Sequence, residues 1–144
     1  MADIFSKSKR SEIMSRIRGK DTGPELVVRR ELFARGFRYR LHAKDLPGKP
    51  DIVLPKYGAA VIVDGCFWHG HKNCKVFRWP KTRTAFWRAK IDANGKRDTR
   101  NRRALRSLGW NVVRVWECEL SARRLSKTID KITKKIKAHA TDGH

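Results

Sequence analysis

Acidic side chains are scarce in this chain: 14 Asp and Glu stand against 35 Lys and Arg in 144 residues, leaving a net charge of +21. Self-repulsion of that size disfavours a compact state and points to a polyanionic partner rather than to solubility alone. Long apolar runs are missing too. None approaches the ~20 residues of a spanning helix, and Met1-Ala2-Asp3-Ile4 does not begin a signal peptide. Cysteine is limited to three residues, which cannot all pair within one chain. With histidine close by, a reduced, metal-binding role is expected instead of a disulfide framework. Internal repeats are absent. What is present is a chain that is 40% hydrophobic, enough for one core in one domain.

Residues 1–20 are basic and place Ile13, Met14 and Ile17 at helical spacing. They read as an arm that orders on a partner or as a short helix docked on the body. The folded domain is expected over 21–138, with 139–144 frayed. Asp21-Thr22-Gly23-Pro24-Glu25 opens a helix, Gly36 stops it, and Leu26, Val28, Leu32 and Phe33 supply its buried face. Alternation predicts a strand over 37–41. Strands at 51–54 and 59–63 flank the loop Pro55-Lys56-Tyr57-Gly58. A helix is expected from Thr82 or Thr84, with a break at Asn94-Gly95 and a very basic continuation over 97–108. A strand over 111–116 follows, then a last helix capped by Ser121, with Leu125, Ile129, Ile132 and Ile136 as its stripe. This alternation predicts an α/β fold with a mixed central sheet flanked by helices.

The densest chemistry lies where an apolar strand runs into Asp64-Gly65-Cys66-Phe67-Trp68-His69-Gly70-His71. If Leu54 opposes Ala59, then Asp51 opposes Ile62, and Asp64 shares the face of Asp51 one diagonal step away. Two carboxylates so placed suit one hydrated magnesium ion, which activates water and offsets charge on a phosphate. His69 is the nearest group able to act as base near neutrality. Cys66, His71 and Cys74, joined by the distant Cys118, suit tetrahedral zinc in a closed, structural site. Phe67-Trp68 can stack on or wedge between bases, with Trp87 near the start of the next helix, while Phe86, Trp110 and Trp116 read as core. The basic series Lys96, Arg97, Arg100, Arg102, Arg103 and Arg106 suits phosphate contacts. Together these features describe a metal-dependent DNA nuclease with a zinc-braced, aromatic-tipped site.

Over residues 8–120 the chain resembles the very short patch repair (Vsr) mismatch endonucleases of bacteria. The likeness runs through Asp21-Thr22 and Glu25, Leu46-Pro47-Gly48-Lys49-Pro50-Asp51, Gly65-Cys66-Phe67-Trp68-His69, Phe86-Trp87, Arg97-Asp98 and Val115-Trp116-Glu117-Cys118. The resemblance implies a restriction-endonuclease-like fold. It implies a nick in one strand of duplex DNA, 5′ to the thymine of a T:G mismatch. It makes Asp51 the magnesium ligand, His69 the activator of water, and Glu25 an accessory acid; strand register, not the resemblance, adds Asp64 as a further candidate ligand, with the Val63 backbone beside it. Phe67, Trp68 and Trp87 would intercalate, and the N-terminal helix with Met14 would close over the minor groove. Cys66, His71, Cys74 and Cys118 would hold zinc. A monomer in the bacterial cytoplasm, at the nucleoid and near mismatch-repair proteins, fits that role. The chain departs from the family pattern at Asp64, where histidine is usual, at Val63, where threonine is usual, and by one extra residue between His71 and Cys74. The rival readings are a restriction- or junction-type nuclease on the same scaffold and a non-catalytic zinc DNA-binding protein.

Overall fold

A computed structural model of the protein describes residues 23–72, 74, 75 and 77–142, with side chains to residue 138. The expected arm over 1–20 with Met14, and the caps Asp21 and Thr22, lie outside the described residues. The elements are α1 (Gly23–Ala34), β1 (Arg40–Leu41), β2 (Ile52–Leu54), β3 (Ala59–Asp64), α2 (Thr84–Ser107), β4 (Asn111–Trp116) and α3 (Leu125–Asp142), with short 3-10 turns at Pro55–Tyr57 and Glu117–Leu120. The last helix therefore reaches into the stretch expected to fray.

The four strands form one mixed sheet in the order β1-β2-β3-β4. Strands β1, β2 and β3 pair antiparallel, and β3 pairs parallel with β4. A parallel pair needs a crossover, which the stretch containing α2 supplies. Leu54 opposes Ala59, as the hairpin reading required. Gly58 closes that turn at φ 63, where a Cβ is strained.

Pleating gives the sheet two different faces. Ile52, Leu54, Ala59, Val61, Val113 and Val115 face one core with Val28 and Leu32 of α1 and Ile129, Ile132 and Ile136 of α3. Each fully buried aliphatic there contributes on the order of 2 kcal/mol. The other face carries Val53, Ala60, Asp64, Arg114 and Trp116, and α2 lies over it. One sheet thus has an apolar face that holds the fold and a polar face under a basic helix.

Several local expectations are corrected. Helix α2 runs unbroken through Asn94-Gly95, because Asn94 Nδ2 donates to the Trp68 carbonyl at 2.9 Å instead of leaving the helix. The last helix starts at Leu125, one turn beyond Ser121, whose carbonyl accepts from Arg124 and Leu125. Phe33 and Phe86, expected inside, are 54% and 46% exposed, and the guanidiniums of Arg38 and Arg83 cover their rings at 3.9 and 4.4 Å. The first strand shrinks to two residues, and Leu41 is exposed.

Candidate active site and metal centre

The end of β3, the start of β2, the first turn of α1 and one flank of α2 enclose a cleft of about 850 Å³. Glu25, Asp51, Val63, Phe67, Trp68, His69 and Asp98 line it, with Lys44, Lys49, Lys90 and Arg97 as cations.

Asp51 sits just before β2. Leu41 pairs with Ile52, so the next residue along, His42, donates its N–H to the Asp51 carbonyl at 3.1 Å. Glu25 is buried at 2% exposure in the first turn of α1. Its carboxylate meets Arg29 Nη1 at 2.9 Å and His42 Nε2 at 2.9 and 3.0 Å. Ligand atoms of Glu25, His42 and Asp51 lie within 4.8 Å of one another. The Val63 N–H donates to Asp51 Oδ2 at 2.8 Å, fixing the carboxylate against β3. Burial above all, with the neighbouring Glu25 and Asp64 and against the opposing Val63 hydrogen bond, pushes the Asp51 carboxyl up to about 8. A group of acids crowded in this way is relieved by a cation, so the donor set fits a divalent ion.

Asp64 shares the sheet face predicted from register but joins a different set. Its Oδ2 accepts from Arg114 Nε at 2.6 Å, and its Oδ1 lies 3.4 Å from His69 Nε2. Asp64, His69 and Asp98 form their own cluster. Strand register grouped Asp64 with Asp51; in the structure the partners of its carboxylate are Arg114 and His69. His69 Nδ1 pairs closely with Asp98 Oδ2 across from α2. Burial works to raise Asp98, but the hydrogen bond and charge of His69, with Arg114 and Arg97, outweigh it and hold the carboxyl below its usual value. His69 is thereby fixed between two carboxylates, one on each ring nitrogen.

Gly70 makes the next turn possible. Its φ is +59, and a Cβ there would lie 2.5 Å from Ile91 Cγ2. The chain reverses tightly, and His71 enters a third cluster with Cys66, Cys74 and Cys118, whose ligand atoms lie within 4.8 Å of one another. Cys118 Sγ is 3.5 Å from His71 Nδ1, a separation that tetrahedral zinc would leave between two of its ligands. Burial pushes the Cys66 thiol up to about 12 and lowers His71; the neutral imidazole is ready to ligate, and a bound cation would supply the charge that the buried thiolates need. Trp116, expected in the core, stacks on His71 with centroids 3.9 Å apart.

Phe67, Trp68 and Trp87 form one half-buried cluster at the cleft rim, with centroids 5.2 to 5.9 Å apart. Phe77 and Trp79 extend it through the loop. Sequence reasoning missed those two, as well as His42, Asp98 and Arg114. Alternate aromatics in Phe77-Arg78-Trp79 were the signal for the first pair.

Fold and site together define a mixed α/β protein. It carries a carboxylate cluster and a clamped histidine in one cleft, and a separate Cys/His group that could hold a metal ion. The family model for the DNA mismatch endonuclease Vsr matches residues 2–75. The chain is 46% identical over 138 residues to the type II nicking enzyme V.NmeAIP of Neisseria meningitidis, covering 95% of this chain and 98% of the relative. It is 49% identical over 121 residues to V.XorIIP of Xanthomonas oryzae, covering 84% and 88%. It is 42% identical over 123 residues to the Vsr endonuclease of Escherichia coli, covering 85% and 78%. The chain belongs to the Vsr family of DNA mismatch endonucleases.

Proposed function

We propose that this protein nicks one strand of duplex DNA 5′ to the thymine of a T:G mismatch, using magnesium at the Asp51 cluster and zinc as a structural brace. The observation that carries the reading is one cleft holding Glu25, Asp51, His69, Phe67 and Trp68 together, in a chain whose relatives are named as mismatch and nicking endonucleases. On this reading the mixed sheet is a restriction-endonuclease-like core.

Asp51, Glu25 and the Val63 backbone would hold the divalent ion, which when bound would supply Lewis-acid charge to the scissile phosphate. Lys44, Lys49, Lys90 and Arg97 at the cleft draw in the backbone phosphates. His69 takes the proton of the attacking water at Nε2, which faces Asp64 Oδ1 across 3.4 Å, while Nδ1 is tied to Asp98. Asp64 and Asp98 stabilise the imidazolium that results and keep the ring in one orientation. Hydrolysis leaves a 5′-phosphate and a 3′-hydroxyl. Phe67, Trp68 and Trp87 enter the helix beside the mismatch, where a mispaired step costs less to unstack than a sound one. Zinc held by Cys66, His71, Cys74 and Cys118 would brace the loop that carries Phe67 and Trp68. DNA is the partner, the protein works as a monomer in the bacterial cytoplasm, and mismatch-repair proteins are its functional neighbours.

The test is nicking of a duplex labelled on each strand and carrying one T:G pair, with the matched duplex alongside. Phe67→Ala with Trp68→Ala should erase the preference for mismatch more than it weakens general affinity. Equal cutting of matched or branched DNA by the unaltered protein favours a restriction or junction nuclease. Tight binding without a nick under any divalent metal favours a binding module.

A further inference from the structure

Helix α2 separates two cavities. Its flank of Lys90, Asn94, Arg97 and Asn101 closes the cleft around Asp51, while Asp92, Lys96, Thr99 and Arg103 face a second cavity of about 910 Å³ bounded by residues 69–72 and the end of β4. Only His69 lines both among the described residues. The second cavity is strongly cationic: Lys72, Lys96, Arg100, Arg102, Arg103 and Arg114 line it against a single acid, Asp92.

Arg102 is the informative side chain. Its Nη2 donates to Thr99 Oγ1 at 3.3 Å, but its Nη1 is buried with no hydrogen-bond partner, the one such side-chain nitrogen or oxygen among the described residues. Burial, then the charge of Arg114, pulls its pKa down, against the pull of Asp64 and Asp98. Arg114 spends its Nε on Asp64 and lies over the Trp116 ring at 4.0 Å. A buried guanidinium donor beside a second guanidinium is costly without an acceptor, and an anionic acceptor relieves both the missing hydrogen bond and the like-charge repulsion. The charge of the lining favours an anionic ligand.

We propose that this cavity is a binding site for a phosphate-class oxyanion, with Arg102 and Arg114 as its deep donors and Lys96, Arg100 and Arg103 at its mouth. The occupant shares Arg114 with Asp64, which faces His69, so the site sits one guanidinium away from the proposed base. Two sources carry this chemistry: a free oxyanion, and a backbone phosphate of bound DNA remote from the cleft.

The experiment titrates inorganic phosphate into the zinc-loaded, DNA-free protein, with chloride holding the ionic strength constant, and follows thermal unfolding. Wild type should show a saturable rise in Tm. Arg102→Met should weaken phosphate binding about tenfold or more. Should that variant fold poorly, Lys96→Gln with Arg103→Gln, both exposed, serves in its place. Lys131→Gln with Lys134→Gln on α3 removes the same charge elsewhere and should behave as wild type. A rise no greater than with chloride, or one equally reduced by both double variants, overturns the proposal. A second arm separates the sources by the salt dependence of duplex binding. A slope reduced by about one per lost contact in Lys96→Gln with Arg103→Gln assigns the site to DNA backbone. An unchanged slope with phosphate binding lost assigns it to a free oxyanion.

Discussion

Asp51→Asn should stabilise the protein at alkaline pH when magnesium is withheld, although it removes the residue proposed to hold the ion. The Asp51 carboxyl moves from 3.8 to about 8 on folding, mainly by burial and then by Glu25 and Asp64 against the Val63 hydrogen bond. Below pH 4 the folded and unfolded chains both carry the proton, and Asp51 costs nothing. Between pH 4 and 8 only the folded chain keeps it, so stability falls by about 1.4 kcal/mol per pH unit as pH rises. Above about 8 the loss is complete. The ceiling is on the order of 5 kcal/mol, and screening by water and mobile side chains leaves ~2 kcal/mol as the working expectation. In a domain of this size that moves Tm by roughly 4–8 °C. Asparagine keeps an acceptor for the Val63 N–H but cannot ionise. The assay is thermal unfolding from pH 5 to 9, with zinc bound and magnesium absent or present. Wild type should lose Tm relative to Asp51→Asn as pH rises, and magnesium should restore wild type alone. Parallel curves for the two proteins across that range, or equal rescue of both by magnesium, would refute the reasoning.

Other outcomes follow from the same geometry. His69→Ala should lower kcat for nicking about 10²–10⁴-fold with little change in duplex affinity. Asp98→Asn should lower it about 10–100-fold and shift the pH profile, as expected of a group that positions His69; an unaltered profile would assign Asp98 to structure alone. Cys118→Ser should abolish stoichiometric zinc binding, measured by metal analysis after gel filtration, and lower Tm by several degrees. Gly70→Ala should cost about 1–3 kcal/mol in denaturant unfolding, because a Cβ meets Ile91 and the φ is left-handed.

Much of this was legible in the sequence because periodicity carries it. Alternation around Pro55–Gly58 fixed the hairpin register, and that register placed Asp51 and Asp64 on one face. The Cys and His residues were legible because zinc chemistry needs few residue types at short spacing, and the distant Cys118 does reach the cluster. The partition of the carboxylates was not legible. It depends on Arg114, the one charged residue of β4, and on Asp98, one of two acids within a basic helix, and neither sets up a period. His42 was hidden for another reason: it follows a two-residue strand at φ 47, where no pattern has room to form. Phe33 and Phe86 look like core by composition, yet each is covered by a nearby arginine, and hydropathy takes no account of such stacking. The continuity of α2 through Gly95 rests on a hydrogen bond from Asn94 to a carbonyl 26 residues away in sequence, beyond the reach of local propensity.

The most direct test of the central claim is magnesium-dependent nicking of a duplex with one T:G pair, read at nucleotide resolution on both strands and repeated with Asp51→Asn. The account predicts a single nick 5′ to the thymine, with 5′-phosphate and 3′-hydroxyl ends, absent from matched DNA and lost in the variant. Cutting that ignores the mismatch, or that persists in Asp51→Asn at the wild-type rate, would contradict it.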